Sequence, residues 1–563
     1  MALVLLLVVA TLFLSERAMA QTGRGGSTTG PPTTPTAVDL RTVPAGGTSS
    51  SAGLPRRHPG GEAELNQSKA TVDPAAAPSD GSTAGPFTVS AGIGFDGIDS
   101  SQSGCGCLPP DGAIAVGPSR IVAAVNTAFS IWDKSGNPVA GYPKVLSSLL
   151  TNASCLGSIS DPFAEYDRTS NRFMVGALTY DASNNSSVCI AVSQTGDPTT
   201  TWEVYGFPVS PASDLFDFPH ATIGATAIYV TGNQFQGGTT FTGARVYAYN
   251  KADMYAGLAT APVLVDVGNN AAGKLADTVM PARGTVASAT EYFIAADNSA
   301  CPCSNVSVWT WSDPFGASSF ALQGGVGVTS YGQPPNALQL GGHGPPGQIT
   351  TNDAGGLAAY FYRGSLYGAH TIAFNPGSGT IAAIQWYQLG NIEGAPTLVQ
   401  QGIVAANGEY RYFPNLSVDA AGNVTLGYAF SSGTQYAGIR YRGRLAPDAA
   451  GTLGAEAVLK AGEATINGSR YGDYAGAAAD PDGCTVWHFE EYARAGSLWG
   501  TWAGSLRASE CATSVGGISE APVLPALRSE EPGGQRFPWW ILLSAVMLVC
   551  VPCLGLLRRL TRR

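Results

Sequence analysis

Charge is what this chain has least of. Asp, Glu, Lys and Arg make up 12% of its 563 residues, about half the roughly 25% of an average soluble protein. There is no basic excess either: 30 Lys and Arg stand against 40 Asp and Glu, a net charge of −10. A surface that neutralises phosphates needs the opposite balance, so nucleic-acid binding by electrostatics is excluded. Histidine is scarce, five in all. His220, His343, His370 and His488 lie far apart in sequence, and each reads more readily as a packed or surface residue than as a ligand. The chain contains no Gly-x-Ser-x-Gly, no His-Glu-x-x-His and no P-loop, which argues against a nucleophile-elbow hydrolase, a zincin and a nucleotide-binding loop. Long amphipathic helical periods are missing as well, so a helical bundle or coiled coil is excluded. Only Asn250–Gly257 has the pattern of one short helix.

What is present is apolar and turn-rich. Hydrophobic residues reach 44%, with 72 Gly and 37 Pro, too apolar for a wholly disordered chain. Residues 1–20 read as a signal peptide: an apolar run from Leu3 to Leu14, then Ala18-Met19-Ala20 before Gln21. Residues 21–90 are Gly-, Ser-, Thr- and Pro-rich with almost no aromatics, a composition expected to stay disordered. A second linker covers 513–538. Residues 539–557 carry no charge and begin with Trp539 and Trp540. Nineteen residues at about 1.5 Å each span roughly one hydrocarbon thickness. The basic tail 558–563, with Arg558, Arg559, Arg562 and Arg563, is then cytoplasmic by the positive-inside rule. The expected product is an exported, single-pass, membrane-anchored protein whose folded part is 91–512.

Ten cysteines occur. Cys550 and Cys553 fall in the apolar span; the other eight lie in the exported part, an even number that suggests disulfides. The expected pairs are Cys155–Cys189 and Cys484–Cys511, because each brackets one repeat unit. The Cys105-x-Cys107 and Cys301-x-Cys303 pairs have the ligand count of a four-thiolate zinc site, but an exported location favours bridges near those loops.

A repeat runs through the folded part. Asp217-Phe-Pro-His-Ala-Thr-Ile-Gly precedes Ala227-Ile-Tyr-Val-Thr-Gly-Asn. Tyr412-Phe-Pro-Asn-Leu-Ser-Val-Asp precedes Asn423-Val-Thr-Leu-Gly-Tyr, and Asp473, Asp161 and Asp111 open three similar units. Each is a short strand, a turn and a second strand rich in β-branched and aromatic residues. Two fainter copies begin near Pro281 and Thr351. Self-similarity over this length predicts an all-β fold, a single β-propeller of seven blades. Six or eight blades stay open because two copies are faint, and a pair of β-sandwiches is the rival architecture.

The segments Ser160–Phe173, Ala191–Trp202, Thr434–Gly438 and Tyr471–Tyr474 resemble motifs of a family of exported, largely uncharacterised bacterial β-propeller-like proteins. The resemblance covers nearly all of 105–507. It implies a propeller of sialidase-like or quinoprotein-like fold and leaves the chemistry open.

In a propeller the first strand of each blade lines the central channel. The leading aspartates Asp111, Asp161, Asp217 and Asp473 are therefore expected at one rim. Two readings compete: a ring of carboxylates around a bound Ca²⁺, or separate caps on each blade's own loop. His220, Asp353, Glu490, Glu491 and Tyr492 complete the expected ligand rim. Glu490 and Glu491 are candidates for acid–base work, against the plainer reading of an exposed strand end. The function expected from these features is a non-enzymatic binding module for a cell-surface glycan or protein. The alternatives are a sialidase-like glycoside hydrolase and a structural or adhesion component.

Overall fold

The computed structural model describes residues 27–47, 88–210, 213–298, 301–342, 348–466, 470–496 and 498–511. The signal peptide, most of the leader, His343, the apolar span 539–557 and the basic tail lie outside the described residues. Among the described residues no helix is long and apolar enough to cross a membrane.

Seven antiparallel sheets follow one another along the chain. Blade 1 is built from Ala113–Val116, Arg120–Val125, Ala128–Asp133 and Lys144–Val145. Blade 2 runs from Ser158–Asp167 to Thr201–Pro208, and blade 3 from Leu215–Ile223 to Val263–Asp266. Blades 4, 5 and 6 begin at Met280–Pro281, Leu357–Tyr362 and Glu409–Val418. Blade 7 takes three strands, Gly476–Ala479, Thr485–Tyr492 and Gly500–Ala508, and borrows its fourth from the start of the ring, Val89–Asp99. That loan closes the circle. The faint copies near Pro281 and Thr351 are blades 4 and 5, which settles the number at seven. The expected short helix is present as Lys251–Tyr255, capped by the Asn250 side chain on the Asp253 amide.

Large side chains fill the space between sheets. Trp202, Trp309, Trp311, Trp386, Trp487 and Trp499 are fully buried. Glycines make room for them: a Cβ on Gly176 would stand 2.3 Å from the Phe163 ring, and one on Gly232 the same distance from Phe216. Both glycines lie on second strands, opposite an aromatic residue of the inner strand.

All eight cysteines among the described residues are paired: Cys155–Cys189 and Cys484–Cys511 as expected, with Cys105–Cys107 and Cys301–Cys303 each closed on itself. The four-thiolate zinc alternative is thereby displaced. Disulfides of this number fit an oxidising compartment.

One expectation needs correction. The composition of residues 21–90 predicts a disordered leader, yet 27–47 form a strap along the outer edges of three blades. Thr28–Thr29 pair with Val263–Leu264 of blade 3, and Thr36–Asp39 with Thr201–Val204 of blade 2. The Gly46 amide reaches Pro143 O beside blade 1. Edge strands offer unpaired main-chain groups to any extended segment, and Val38 and Leu40 bury in the blade 1–2 core. Those two anchors are too few to lift a polar composition into a visible pattern.

Candidate functional site

Six of the seven blades enter their inner strand through a residue in the left-handed region: Asp111 (φ 55°), Asp161 (54°), Phe218 (57°), Thr278 (50°), Asn352 (55°) and Phe413 (50°). Asp and Asn accept this conformation more readily than other side chains, one physical reason that Asp recurs here. The leading aspartates are not equivalent, however. Asp111 and Asp161 occupy the left-handed position itself, Asp217 precedes it, Asp353 follows it, and Asp473 follows Gly472.

The amides at these turns are capped from the blade before. Asn126 Oδ1 accepts from the Asp161 amide at 2.8 Å. Asn233 Oδ1 accepts from Thr278 at 2.8 Å, and Thr371 Oγ1 from Phe413 at 3.1 Å. Asn126 also donates to Asp111 Oδ2 at 2.6 Å. Asp111 Oδ1 in turn accepts from the Asp473 amide at 3.1 Å. Arg470 pairs with Asp473 Oδ2, and Asn352 donates to Asp473 Oδ1 at 2.5 Å. Ser160 and the Tyr474 hydroxyl, at 2.5 and 3.0 Å, donate to Asp161. Three of the four expected ring aspartates thus share one buried network, with Asp217 close enough to act on Asp161 by charge.

Burial, and after it the charge of Asp217, pushes Asp161 up to about 7. Burial raises Asp111 well above the carboxylate range, and neighbouring Asp473 and Asp161 add to it. Among the described residues no group of three or more His, Cys, Asp or Glu is arranged as metal ligands. The oxygens of Asp111, Asp161 and Asp473 that are named above face hydrogen-bond donors, and these are side chains or an amide of another blade rather than the backbone of each blade's own loop.

Above this network lies a cavity of about 90 Å³, open to solvent, to which all seven blades contribute. Its polar lining includes His220, Asn352, Asp353, Asn415 and Asp473; its aromatic lining includes Phe163, Phe218, Phe413 and Tyr474. The His220 ring lies 4.5 Å from Phe218 and 4.9 Å from Tyr474, centroid to centroid. Asp353 Oδ1 accepts the Gly355 amide at 2.9 Å. Asn415 donates to Ala475 O, joining blade 6 to the loop entering blade 7.

Arg283 forms the floor. Its Nη1 donates to Ala477 O of blade 7 at 2.7 Å, and its Nη2 to Ala164 O of blade 2 at 2.6 Å. Beyond it is a second chamber of about 50 Å³, lined by Glu165, Tyr166, Arg168, Tyr360 and the other side of Arg283. The guanidinium is a crossbar that divides the channel in two.

Glu490, Glu491 and Tyr492 are not among the cavity residues. Both glutamates are fully buried inside blade 7, so the exposed-strand-end alternative does not hold. Glu490 Oε2 stands 2.7 Å from His488 Nε2. Burial drives both carboxyls up and His488 down to about 3, which makes this a contact between neutral groups. Tyr492 donates to Asp96 of the borrowed strand at 2.7 Å. Sequence reasoning missed Arg283 and Arg470, which carry no repeated signal, and Asn126, whose counterpart Asn233 closes the matching segment of blade 3 and caps the next blade in the same way. Asn415 was within reach, since Phe413-Pro-Asn matches Phe218-Pro-His.

No protein-family model and no curated protein matches the chain. Among solved structures, a protein of unknown function from Dyadobacter fermentans is 12% identical, with a TM-score of 0.37 over 75% of this chain and 99% of that one. Polysaccharide lyase Uly1 is 8% identical, with a TM-score of 0.38 over 84% of this chain and 99% of that one. The NanB sialidase of Streptococcus pneumoniae is 7% identical, with a TM-score of 0.37 over 69% and 82% respectively. The assignment to the seven-bladed propeller architecture rests on this chain's own strand pairing.

Proposed function

We propose that the propeller is an exported binding module whose central cavity takes the uncharged, hydroxyl-rich end of a glycan. One observation carries this reading: a cavity of about 90 Å³, open to solvent, that combines amide, imidazole and carboxylate groups with four aromatic residues. Sugars are held by that combination of hydrogen-bonding groups and apolar faces. The cavity is ill suited to an anionic sugar. Arg283 is the only arginine in its lining, and both terminal nitrogens are committed to carbonyls. A carboxylate clamp of the sialidase kind needs several free guanidinium groups.

The hydrolase alternative keeps one supporting observation: Asp353 and Asp473 both reach the cavity, and paired carboxyls are what glycoside hydrolysis uses. An array of defined glycans probed with the full-length chain separates the two. Retained signal that falls on substituting Asn415 supports a binder. Loss of the printed sugar makes the protein a hydrolase, and silence on all sugars refutes both readings. The four disulfides support an exported location; the C-terminal span 539–557 belongs to the same proposal and is tested by membrane fractionation.

A further inference from the structure

At the opposite end of the inner strands from the cavity lies a groove of about 400 Å³ between blades 5 and 6. Its lining includes Tyr362, Arg363, Tyr367, Gln400, Arg444 and Asp448. Two arginines in one groove are unusual in a chain of net charge −10. Neither forms an ion pair among the described residues, in contrast to Arg41, Arg245, Arg411, Arg440, Arg470, Arg494 and Arg507, and in common with Arg120, Arg168, Arg172 and Arg283.

Arg444 is 4% exposed, yet its Nε has no hydrogen-bond partner. Nη2 donates to the Asp448 main-chain oxygen at 2.7 Å, while the Asp448 carboxylate accepts the Leu445 amide at 2.7 Å. Burial pulls the Arg444 guanidinium below the ordinary arginine range, against the opposing charge of Asp448. A buried guanidinium nitrogen left without an acceptor is costly unless something supplies one.

Arg363 adds a second, independent oddity. It is the first of two turn residues joining Tyr362 to Ser365, with φ 46°, followed by Gly364 at 81°. A two-residue turn with both φ positive ordinarily begins with Asn, Asp or Gly. Here it begins with a long cation, exposed to solvent and held 5.2 Å over the Tyr362 ring. Local backbone preference is given up at this turn, and the charge presented to the groove is what is obtained in return.

We propose that this groove is a binding site for an oxyanion, the carboxylate or sulfate of an acidic saccharide, held between Arg363 and Arg444 with the sugar against Tyr362. Guanidinium groups match the planar, two-oxygen geometry of such anions. The site is separate from the central cavity and does not depend on what that cavity binds.

The test measures binding of the full-length chain to three probes at low and at physiological salt: a galacturonate oligomer, chondroitin sulfate and neutral dextran. Expected is salt-sensitive binding of one or both acidic probes and none of dextran. Binding of the galacturonate oligomer identifies the carboxylate as sufficient; binding of chondroitin sulfate alone identifies the sulfate. The informative variant is Arg363→Asn, which gives the turn a residue it prefers. It should weaken binding at least tenfold while leaving the melting temperature unchanged or raised. Arg444→Gln should weaken binding by a similar factor. Absence of binding to both acidic probes, equal binding of dextran, or full affinity in Arg363→Asn would each overturn the proposal.

Discussion

Asn126 of blade 1 holds Asp161 of blade 2: its side-chain oxygen accepts the Asp161 amide at 2.8 Å, while its nitrogen donates to Asp111 at 2.6 Å. One buried amide thus serves two left-handed turns. Asn126→Ala leaves an amide and a raised-pKa carboxyl without their partner. A buried polar group so abandoned costs about 1–3 kcal/mol. The expected loss is on the order of 3 kcal/mol, read as a lower denaturant midpoint with an unchanged m-value. An effect near zero would show that water replaces the side chain.

Stability should fall as pH rises from about 5 to about 7. Asp161, held at about 7 by burial and Asp217, keeps a proton that the unfolded chain has released, so the native state loses ground through that window. The rise from about 4 to about 7, three pH units, corresponds to on the order of 4 kcal/mol for this group. Asp111, Glu165, Glu291, Glu490 and Glu491 are raised in the same direction by burial. His370 and His488, lowered to about 4 and about 3 by burial, act oppositely between those values and about 6.5. Lowered carboxylates such as Glu456, held against its burial at about 2 by Arg411, act oppositely up to about pH 5; above that, six raised carboxyls stand against the two histidines. Asp161→Asn should flatten the slope of melting temperature against pH. A wild-type curve that rises from pH 5 to 7 contradicts this.

Arg283→Met removes the crossbar while keeping much of its length. Each charge-assisted bond to a carbonyl is worth about 1.5–3 kcal/mol, so a loss of about 3 kcal/mol is expected. Faster amide exchange should appear around Ala164 and Ala477, the two acceptors. Arg283→Lys, which reaches one carbonyl, should fall between. If exchange in both neighbouring strands is unaltered, the crossbar carries no load.

Leu40 tests the strap. It is 1% exposed within the blade 1–2 core, and truncating such a leucine costs about 2–5 kcal/mol. Leu40→Ala should lower the melting temperature and expose the outer edge of blade 2, increasing association at high concentration by light scattering. A variant as stable as the parent would return residues 27–47 to the role of a passive leader.

The blades were legible because the pattern that makes them is local. Tyr412-Phe-Pro-Asn and Asp217-Phe-Pro-His each encode a bulged inner strand, and β-branched second strands follow within a dozen residues. Disulfides were legible where a cysteine pair framed a unit. The site was legible in its aspartates but not in its connections. Arg283 acts across blade boundaries, on carbonyls 119 and 194 residues away, and no repeat marks so singular a contact; the cap that Asn126 and Asn233 both place on the next blade does recur, but the residues it holds, Asp161 and Thr278, differ. Glu490 and Glu491 misled for a related reason. Adjacent charges read as surface, whereas neighbouring residues on a strand point to opposite faces, and both faces of this strand are covered.

The borrowed strand has a mechanical consequence. Val89 stands opposite Ala508 in the closing sheet, so the two places where the chain enters and leaves the ring are side by side. Tension applied between them pulls across the ladder rather than along it. The strand pair would then open like a zipper, one hydrogen bond at a time, instead of resisting as a whole. A ring fastened at a single seam is most vulnerable to a pull on its own two ends, and single-molecule extension from residues 88 and 509 should find blade 7 yielding first, at low force.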